Sequence, residues 1–328
     1  MILGILGTGM IVQEALPVWK KFHLDKIYIL STDRSYAKAC DLKQKYHLDD
    51  IFTDYDALLA SDVSLIYIAL PNDLHENYAA KALSCQKHVI VEKPAVLCAD
   101  GWNRLLAAAR HHQVKIFEAM SLHALPAYRQ MVSDLEKIGR IRIVSLNYSQ
   151  YSSRYDLFRS GGNPAVFDAA RGGGALNDIN IYNIHAVLGL SGRPVHVRYF
   201  KNTYRNVDTS GTLVMEYDDF HAVCIGAKDC NVKHASFIQG ELGTIYIHDH
   251  VNGMKGYTVC LNCGQTQQYL DRREEHRLYW EFQEFLRIIR ENDTAVYDRL
   301  AQLTGWAVGI LEECKSSPAT YRVPETFS

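Results

Sequence analysis

The sequence lacks both an excess of charge and a long hydrophobic run. Its 35 Lys and Arg residues nearly balance 37 Asp and Glu residues, which gives a net charge of −2. A chain without a strong positive field is a poor candidate for binding nucleic acid or an anionic membrane. Pro17, Lys20 and Lys21 interrupt the apolar N-terminus before it could span a bilayer, and it has no basic segment or cleavage site. We therefore expect a cytoplasmic protein that binds neither nucleic acid nor membrane.

The sequence also lacks the dense cysteine framework of small secreted domains. Its 8 cysteines are spread along the chain, mostly in apolar runs, which favours reduced thiols. Cys260 and Cys263 have the spacing of half a zinc site or of a redox pair, but no second pair follows at zinc-ribbon spacing. His248 and His250 have an alternate spacing that suits metal ligands on a strand, and we interpret them instead as part of a solvated turn. No metal site is expected.

Internal repeats and low-complexity linkers are absent as well, so length is the guide to domain number. At roughly 100 to 200 residues per domain, the chain predicts two domains. In residues 1–120, runs rich in Val, Ile and Leu alternate with helical patterns, which predicts an α/β domain with a doubly wound parallel sheet. The predicted strands are 2–6, 27–30, 51–53, 65–70, 89–91 and 114–117, and the predicted helices include 35–46, 73–83 and 99–112.

Residues 121–328 show a different pattern, with longer strands in which apolar and polar residues alternate. This period of two predicts a C-terminal α+β domain with an open, mostly antiparallel sheet. The predicted strands are 142–150, 195–201, 211–217, 222–227, 235–239 and 244–247. The predicted helices are 126–138, one from the glycines at 172–174 to about residue 188, 274–290 and 294–315. Packing of the last helices back on the first domain is an open alternative.

A glycine loop follows the first predicted strand. Gly7 and Gly9 stand between that strand and a helix, as a dinucleotide-binding (Rossmann) loop requires, with Thr8, Met10 and Ile11 beside them. The first glycine permits the tight turn, the second lets backbone N–H groups approach a pyrophosphate, and the helix N-terminus adds positive potential. The loop predicts a bound dinucleotide.

The end of the second predicted strand bears on the choice of cofactor. A carboxylate here would bind the ribose of NAD, whereas small polar groups with an arginine would accept the 2′-phosphate of NADP. This chain has Ser31, Thr32, Asp33 and Arg34 at that place. Ser31 and Arg34 favour NADP slightly, and Asp33 keeps NAD as the alternative.

Lys93 ends the fifth predicted strand, between Glu92 and a proline. Ligands of open α/β sheets gather at the carboxyl ends of the strands, so Lys93 is predicted to face the ligand crevice. The proline favours an extended backbone at Lys93 and prevents the strand from continuing. The alternative is a surface lysine that merely follows a strand.

Several motifs together resemble the Gfo/Idh/MocA oxidoreductases, the glucose-fructose oxidoreductase and inositol dehydrogenase family. They are the glycine loop, Pro71-Asn-Asp-Leu-His75, Lys87-His-Val-Ile-Val-Glu-Lys-Pro94, Gly172-Gly-Gly-Ala-Leu-Asn-Asp178 and Gly240-Glu-Leu-Gly-Thr244. At position 182, where many inositol dehydrogenase-like members have histidine, this chain has tyrosine. In this respect it resembles the dimeric dihydrodiol dehydrogenase branch. The resemblance implies hydride transfer between a nicotinamide and a carbinol carbon of a sugar, cyclic polyol or trans-dihydrodiol. It also implies a homodimer or homotetramer formed through the C-terminal sheet, and a cofactor site that includes Leu70, Asn72, His75, Glu92 and Lys93. His75 has the alternative of capping the helix that follows it.

Asp178, Tyr182 and His185 are spaced four and three residues apart, which places them on one face of the predicted helix. Oxidation of an alcohol needs a group that accepts the hydroxyl proton, and Tyr182 is our candidate. A free phenol has a pKa of about 10, which an ammonium such as that of Lys93 would lower. Lys93 would also stabilise a developing alkoxide, while Asp178 orients the substrate or Lys93. The alternatives are a core role for Tyr182, and for His185 either a structural role or that of proton carrier.

The substrate itself is not predicted by any motif. Tyr155 and Phe158, together with His185, are candidates for the pocket wall because they accompany the predicted site in the C-terminal half. Two other functions fit the same fold: a non-catalytic NAD(P)-sensing regulator, and a reductase of a keto or imine group. A regulator would not need both Lys93 and Tyr182, so the sequence favours an enzyme.

Overall fold

The computed structural model describes residues 1–233 and 236–322 and divides the chain into two compact units. The first comprises Met1–Ala119 and Leu278–Gly305, and the second Met120–Arg277 with the residues from Trp306 onward. The segment 278–305 therefore belongs with the N-terminal residues. The division at residue 120 into a cofactor domain and a substrate domain remains a prediction, because the units are defined by compactness.

The first unit contains a parallel sheet of six strands in the order β3-β2-β1-β4-β5-β6. This order confirms the predicted doubly wound sheet. The strand order runs outward in one direction from β1 to β3 and in the other direction from β4 to β6, so it switches between β1 and β4. The strands are β1 (Ile2–Leu6), β2 (Lys26–Leu30), β3 (Asp50–Phe52), β4 (Leu65–Ile68), β5 (His88–Glu92) and β6 (Ile116–Ala119). All residues of β4 are buried, as expected for a strand covered on both faces.

Five helices connect these strands. They are α1 (Met10–Trp19), α2 (Tyr36–Tyr46), α3 (Tyr55–Ala60), α4 (His75–Ser84) and α5 (Ala99–His111). Asp54 caps α3 by accepting hydrogen bonds from the Asp56 and Ala57 N–H groups. The alternation of strand and helix places the carboxyl ends of β1, β2, β4 and β5 at one edge of the sheet.

The second unit contains a mixed, mostly antiparallel sheet in the order β14-β13-β12-β11-β7-β10-β9-β8-β15. Its strands are β7 (Ile141–Ser149), β8 (His196–Tyr204), β9 (Val207–Glu216), β10 (His221–Ala227), β11 (Ser236–Gly240), β12 (Gly243–His248), β13 (Gly256–Leu261), β14 (Thr266–Leu270) and β15 (Ala319–Arg322). The predicted open sheet is confirmed, with β7–β10 and β8–β15 as parallel pairs. Strands β13 to β15 were not predicted, and position 235 of the predicted 235–239 strand lies outside the described residues.

Three α-helices lie between Met120 and β8 in the second unit. They are α6 (Pro126–Ser133), α7 (Tyr155–Arg159) and α8 (Ile181–Ser191), of which α8 packs against β7 and β10. A π-helical turn, Leu176–Asn180, leads directly into α8. Such wide turns are rare and are frequent at functional sites, which draws attention to this helix start.

Two long helices precede the last strand, β15: α9 (Arg277–Glu291) and α10 (Thr294–Lys315). Leu278, Phe282 and Phe285 form an apolar stripe on α9 that joins the core of the first unit. Phe282 stacks on Trp19 of α1 at 3.9 Å between ring centroids, and Phe285 stacks on Phe117 of β6 at 4.6 Å. These contacts explain why a C-terminal segment belongs to the N-terminal unit.

Among the described residues, no helix combines the length and apolar character needed to cross a bilayer. The same residues contain no cluster of three or more His, Cys, Asp or Glu side chains arranged to bind a metal ion. His248 instead contacts the Thr258 hydroxyl at 2.9 Å, and His250 stacks on Tyr148 at 4.3 Å between ring centroids. The interpretation of His248 and His250 as a solvated turn is therefore incomplete, because both rings are half-buried.

Candidate active site

The two glycines of the loop differ in role: Gly7 has a backbone conformation that favours glycine, and Gly9 leaves open space in front of α1. Gly7 has φ +107°, and a Cβ atom there would lie 2.6 Å from the Ala69 carbonyl oxygen. At Gly9 a Cβ atom would meet nothing within 4 Å. The side chain of this N-cap residue is absent, so no side-chain hydrogen bond caps the start of α1. The loop thus presents open space in front of an uncapped helix N-terminus, which is the arrangement that binds a phosphate group.

The end of β2 carries the four residues predicted to choose the cofactor. Ser31 is buried, and its Oγ has no hydrogen-bond partner among the described residues. Thr32 forms a capping box with Ser35, whose hydroxyl accepts from the Thr32 N–H at 3.1 Å. Asp33 and Arg34 are exposed. The end of β2 thus carries a buried hydroxyl and, three residues later, an exposed guanidinium, which are groups able to bind a polar ligand.

His75 connects the loops that follow β4 and β5. Its Nε2 lies 2.8 Å from the Leu70 carbonyl oxygen, and its Nδ1 lies 2.9 Å from the Pro94 carbonyl oxygen. The side chain is fully buried. A buried ring with both nitrogens against backbone carbonyls holds the two loops together, so the predicted cofactor contact of His75 remains a prediction that this burial does not favour.

The loop that carries Lys93 is held on both sides of the lysine. Glu92 accepts a hydrogen bond from the Tyr67 hydroxyl at 2.6 Å, and the Ala95 N–H donates to the buried Glu118 carboxylate at 2.9 Å. Lys93 itself is half-buried and is followed by a cis peptide bond to Pro94. The backbone on either side of Lys93 is therefore fixed, while its side chain keeps access to solvent.

In the second unit, Asp178 lies in the π-helical turn and forms an ion pair with Lys228 at the end of β10. Lys228 is buried, and its ammonium also lies 5.1 Å from the centre of the Phe167 ring. Sequence reasoning missed Lys228, although it directly follows a predicted strand, as Lys93 does. The crevice argument used for Lys93 holds for parallel α/β sheets, whereas β10 belongs to a mostly antiparallel sheet, so it gave no signal for Lys228.

Tyr182 lies at the start of α8 in an aromatic cluster. Its ring centre is 5.8 Å from that of Tyr148, which in turn stacks on His250. The Tyr148 hydroxyl accepts a hydrogen bond from the Asn252 amide at 3.1 Å. The Tyr182 side chain is buried, and its contact with the Tyr148 ring restricts its orientation.

Two buried amides that were not predicted fix this helix on β10. Asn180 donates to the Cys224 carbonyl at 3.0 Å, and Asn183 donates to the Ile225 carbonyl at 2.9 Å. Asn183 also donates to the Asn180 side-chain oxygen at 2.9 Å. These hydrogen bonds set the rotation of the helix and hence the direction of Asp178 and Tyr182.

His185 and the two aromatic candidates for the pocket wall are buried. His185 is fully buried, with its Nδ1 3.1 Å from Nε2 of His123. Phe158 stacks on Phe167 at 4.7 Å between centroids, and burial raises the pKa of the Tyr155 phenol above its usual range. Tyr155 and Phe158 are thus core residues of the segment before the glycines. Their predicted substrate contacts, and that of His185, remain predictions that this burial does not favour.

Comparison with known proteins shows the family to which the chain belongs. Residues 1–120 match an oxidoreductase family with an NAD-binding Rossmann fold, and residues 127–246 match the Gfo/Idh/MocA C-terminal domain. The chain is 31% identical over 319 residues to the scyllo-inositol 2-dehydrogenase (NADP(+)) IolU of Bacillus subtilis, with 95% of both chains covered. It is 34% identical to the uncharacterized oxidoreductase YgjR of Escherichia coli over 249 residues, 74% of this chain and 75% of that protein. The chain belongs to the Gfo/Idh/MocA oxidoreductase family.

The fold of this family member is shared with a solved 3-ketoreductase from Actinomadura kijaniata in complex with NADP. The TM-score is 0.83, with 99% of both chains covered and 18% identity, so this likeness shows the fold. Within the family's NAD-binding fold, the predicted cofactor residues of this chain follow the carboxyl ends of four strands: β1, β2, β4 and β5. The open space at Gly9 and the unpartnered Ser31 hydroxyl fit a dinucleotide. Gly7 to Ile11, Ser31 to Arg34, Asn72 and Lys93 would hold it.

Proposed function

We propose that this family member interconverts a carbinol and a carbonyl carbon of a sugar or cyclic polyol, with NADP preferred over NAD. The NADP-dependent inositol dehydrogenase that shares 31% identity over 95% of both chains supports this substrate class. The partnerless Ser31 hydroxyl supports the preference for NADP, because a 2′-phosphate supplies oxygens that accept a hydrogen bond from it.

The observation that carries the proposal is the way in which candidate catalytic side chains are fixed. Lys93 projects from a backbone held by His75 and Glu118. Asp178 is paired with a buried ammonium, and Tyr182 lies within an aromatic cluster. Preorganised acid/base and charged groups of this kind are typical of an enzyme, whereas a sensor needs only the cofactor site.

The proposed mechanism assigns one task to each side chain. The nicotinamide, when bound, supplies or accepts the hydride. Tyr182 takes the proton from the substrate hydroxyl as the carbonyl forms and returns it in the reverse reaction. Lys93 stabilises the negative charge that develops on the same oxygen and favours the phenolate form of Tyr182. Asp178, held by Lys228, orients a neighbouring substrate hydroxyl.

The test is nicotinamide absorbance with a panel of inositols, aldoses, trans-dihydrodiols and their keto forms, run in both directions. We expect turnover of at least one polyol or sugar, a fall in kcat of about 100-fold or more in Tyr182→Phe and in Lys93→Met, and cofactor affinity within about threefold of wild type. Tyr217→Phe is the matched control, because Tyr217 donates to the Gly192 carbonyl at 2.8 Å at the other end of α8.

The outcomes separate the alternatives. Cofactor binding without turnover of any compound would favour an NAD(P)-sensing regulator. Turnover of keto or imine compounds that have no polyol counterpart in the panel would favour a different reductase. Loss of cofactor affinity in Lys93→Met with kcat intact would contradict the catalytic role of Lys93.

A further inference from the structure

Asp208, at the start of β9, contacts the beginning of the helix that carries the proposed catalytic residues. Its Oδ2 accepts a hydrogen bond from the Leu176 N–H at 2.7 Å and another from the Tyr199 hydroxyl at 2.8 Å. Leu176 is the first residue of the π-helical turn, and Asp178 lies two residues further on. The N–H groups in the first turn of a helix have no partner within the helix, so an acceptor from elsewhere is needed.

The residue in the N-cap position cannot supply that acceptor. Ala175 occupies it and makes no side-chain hydrogen bond. Asp208 therefore provides from a strand what a Ser or Asp would provide from the chain itself. Its carboxylate also opposes the positive end of the helix dipole, which strengthens the contact.

Gly174 makes the approach of Asp208 possible. It has φ +122°, and a Cβ atom at this position would overlap the Asp208 carboxylate. Two features thus require glycine at position 174: its backbone conformation, and the presence of Asp208 in the space that a side chain would fill. The motif and the strand residue form one structural unit.

The next residue of β9 holds Lys228, the partner of Asp178 in the ion pair. The Thr209 carbonyl accepts from the Lys228 N–H at 2.8 Å. The Asp208 side chain thus fixes the backbone near Asp178, and the adjacent peptide fixes the backbone of Lys228. Two consecutive residues of one strand set both ends of the Asp178–Lys228 pair.

We infer that Asp208 is a positioning residue, which holds the first turn of the site helix in register with β9 so that Asp178 meets Lys228 and faces the substrate. The kinetic consequence rests on the proposed function. The structural consequence does not, because protection of the 174–180 backbone is measurable without a substrate.

The experiment compares Asp208→Ala, Asp208→Asn and Tyr199→Phe by hydrogen exchange and by kinetics. Asp208→Ala should speed amide exchange in residues 174–180 and lower kcat about 100-fold with KM within about threefold. Asp208→Asn keeps an oxygen that accepts both hydrogen bonds and should remain within about fivefold of wild type in kcat. Tyr199→Phe removes the second contact only and should leave exchange of 174–180 and kcat near wild type.

Equal losses in Asp208→Ala and Tyr199→Phe would overturn the inference, since both would then act through general stability. Unchanged exchange in Asp208→Ala would also overturn it. If Asp208→Ala does not fold, Asp208→Leu serves in its place, because leucine resembles the aspartate in shape and accepts no hydrogen bond. Should the wild type turn over no substrate, the proposed function fails while the exchange comparison still decides the role of Asp208.

Discussion

The ammonium of Lys228 pairs with the carboxylate of Asp178, and the two side chains differ in exposure: 4% for Lys228 and 34% for Asp178. The lysine is thus buried while the aspartate reaches solvent. An ion pair of this kind orients the exposed partner, because the buried charge cannot move away without losing its counter-charge. Asp178 is thereby presented to the surroundings in a fixed direction.

This asymmetry predicts unequal effects of removing either partner. Asp178→Asn leaves a buried ammonium without its carboxylate and should lower the free energy of unfolding by about 3 kcal/mol or more. Lys228→Met leaves an aspartate that water can solvate and should cost about 1 kcal/mol. Urea unfolding measures both, and the double variant should resemble Lys228→Met. Equal losses in the two single variants would show that burial of Lys228 does not govern the pair.

The glycine loop predicts a separation of stability from cofactor binding. Gly7→Ala places a Cβ against the Ala69 carbonyl at a positive φ and should lower the melting temperature by several degrees. Gly9→Val fills open space and should leave the melting temperature within about 2 °C while weakening NADPH binding about tenfold or more. Thermal unfolding and NADPH fluorescence titration are the measurements. An NADPH affinity that stays undiminished in Gly9→Val would show that the pyrophosphate does not bind at this loop.

The end of β2 predicts which cofactor is preferred. Arg34→Ala should weaken NADPH binding about tenfold and change NADH affinity less than twofold, because only NADPH carries the 2′-phosphate. Asp33→Asn is the matched control and should not weaken NADPH binding, because a carboxylate at this place would bind the ribose of NAD and not a 2′-phosphate. A loss of NADH affinity in Asp33→Asn, with Arg34→Ala silent, would assign the site to NAD.

The parts of the fold that follow from local pattern could be predicted from the sequence. The six strands of the first sheet, Lys93 after β5 and the helix after the glycines all depend on runs of neighbouring residues. Lys228 and Asp208 could not be predicted in the same way, because their partners lie 50 and 32 residues away and are set by strand order. Strand β14 was missed because it is mostly exposed and carries little apolar periodicity.

The contacts of single side chains were harder to predict than the motifs and elements around them. His75 was expected at the cofactor, but its fully buried ring contacts two backbone carbonyls. Phe158 was expected at the substrate, but it stacks on Phe167 inside a small core. In both cases burial does not favour the predicted contact, and burial depends on packing between segments that are distant in sequence.

Asp208 predicts a change of stability with pH. Burial raises the pKa of its carboxyl from 3.8 to about 6. Between pH 3.8 and pH 6 the folded chain holds a proton on Asp208 that the unfolded chain has released. The contribution of Asp208 to the free energy of unfolding is therefore greatest at low pH, where both states are protonated, and it is lost as the pH rises through 6. The Tyr199 hydroxyl and the Lys201 ammonium oppose part of this shift, because both favour the ionised carboxyl.

Asp208→Asn cannot release this proton. Relative to wild type, its free energy of unfolding should therefore rise by about 1 to 1.5 kcal/mol between pH 5 and pH 8. Urea unfolding of both proteins at several pH values gives the difference, and subtraction removes the effect of all other titrating groups. A difference that stays constant with pH would show that the carboxyl titrates alike in the folded and unfolded chains.

The outer face of the nine-stranded sheet predicts self-association. Ile143 and Ser145 lie on one face of β7, and strand pairing continues that face from Ser145 to Phe237 and Tyr246. Ile143 and Tyr246 are 45% and 49% exposed, so this face carries large apolar side chains in open contact with solvent. A second copy of the chain would cover it through a twofold contact, in a homodimer or, with further contacts, a homotetramer.

Tyr246→Glu should therefore shift the protein to a monomer in light scattering after size-exclusion chromatography, with cofactor affinity retained. A carboxylate in the middle of an apolar contact costs several kcal/mol of association when it is buried without a partner. Leu157→Glu is the matched control, because Leu157 is 56% exposed on α7 and lies outside the sheet. A monomeric wild type, or a dimer that survives Tyr246→Glu but not Leu157→Glu, would place the interface elsewhere, since the substituted side chain reports only on the surface that it occupies.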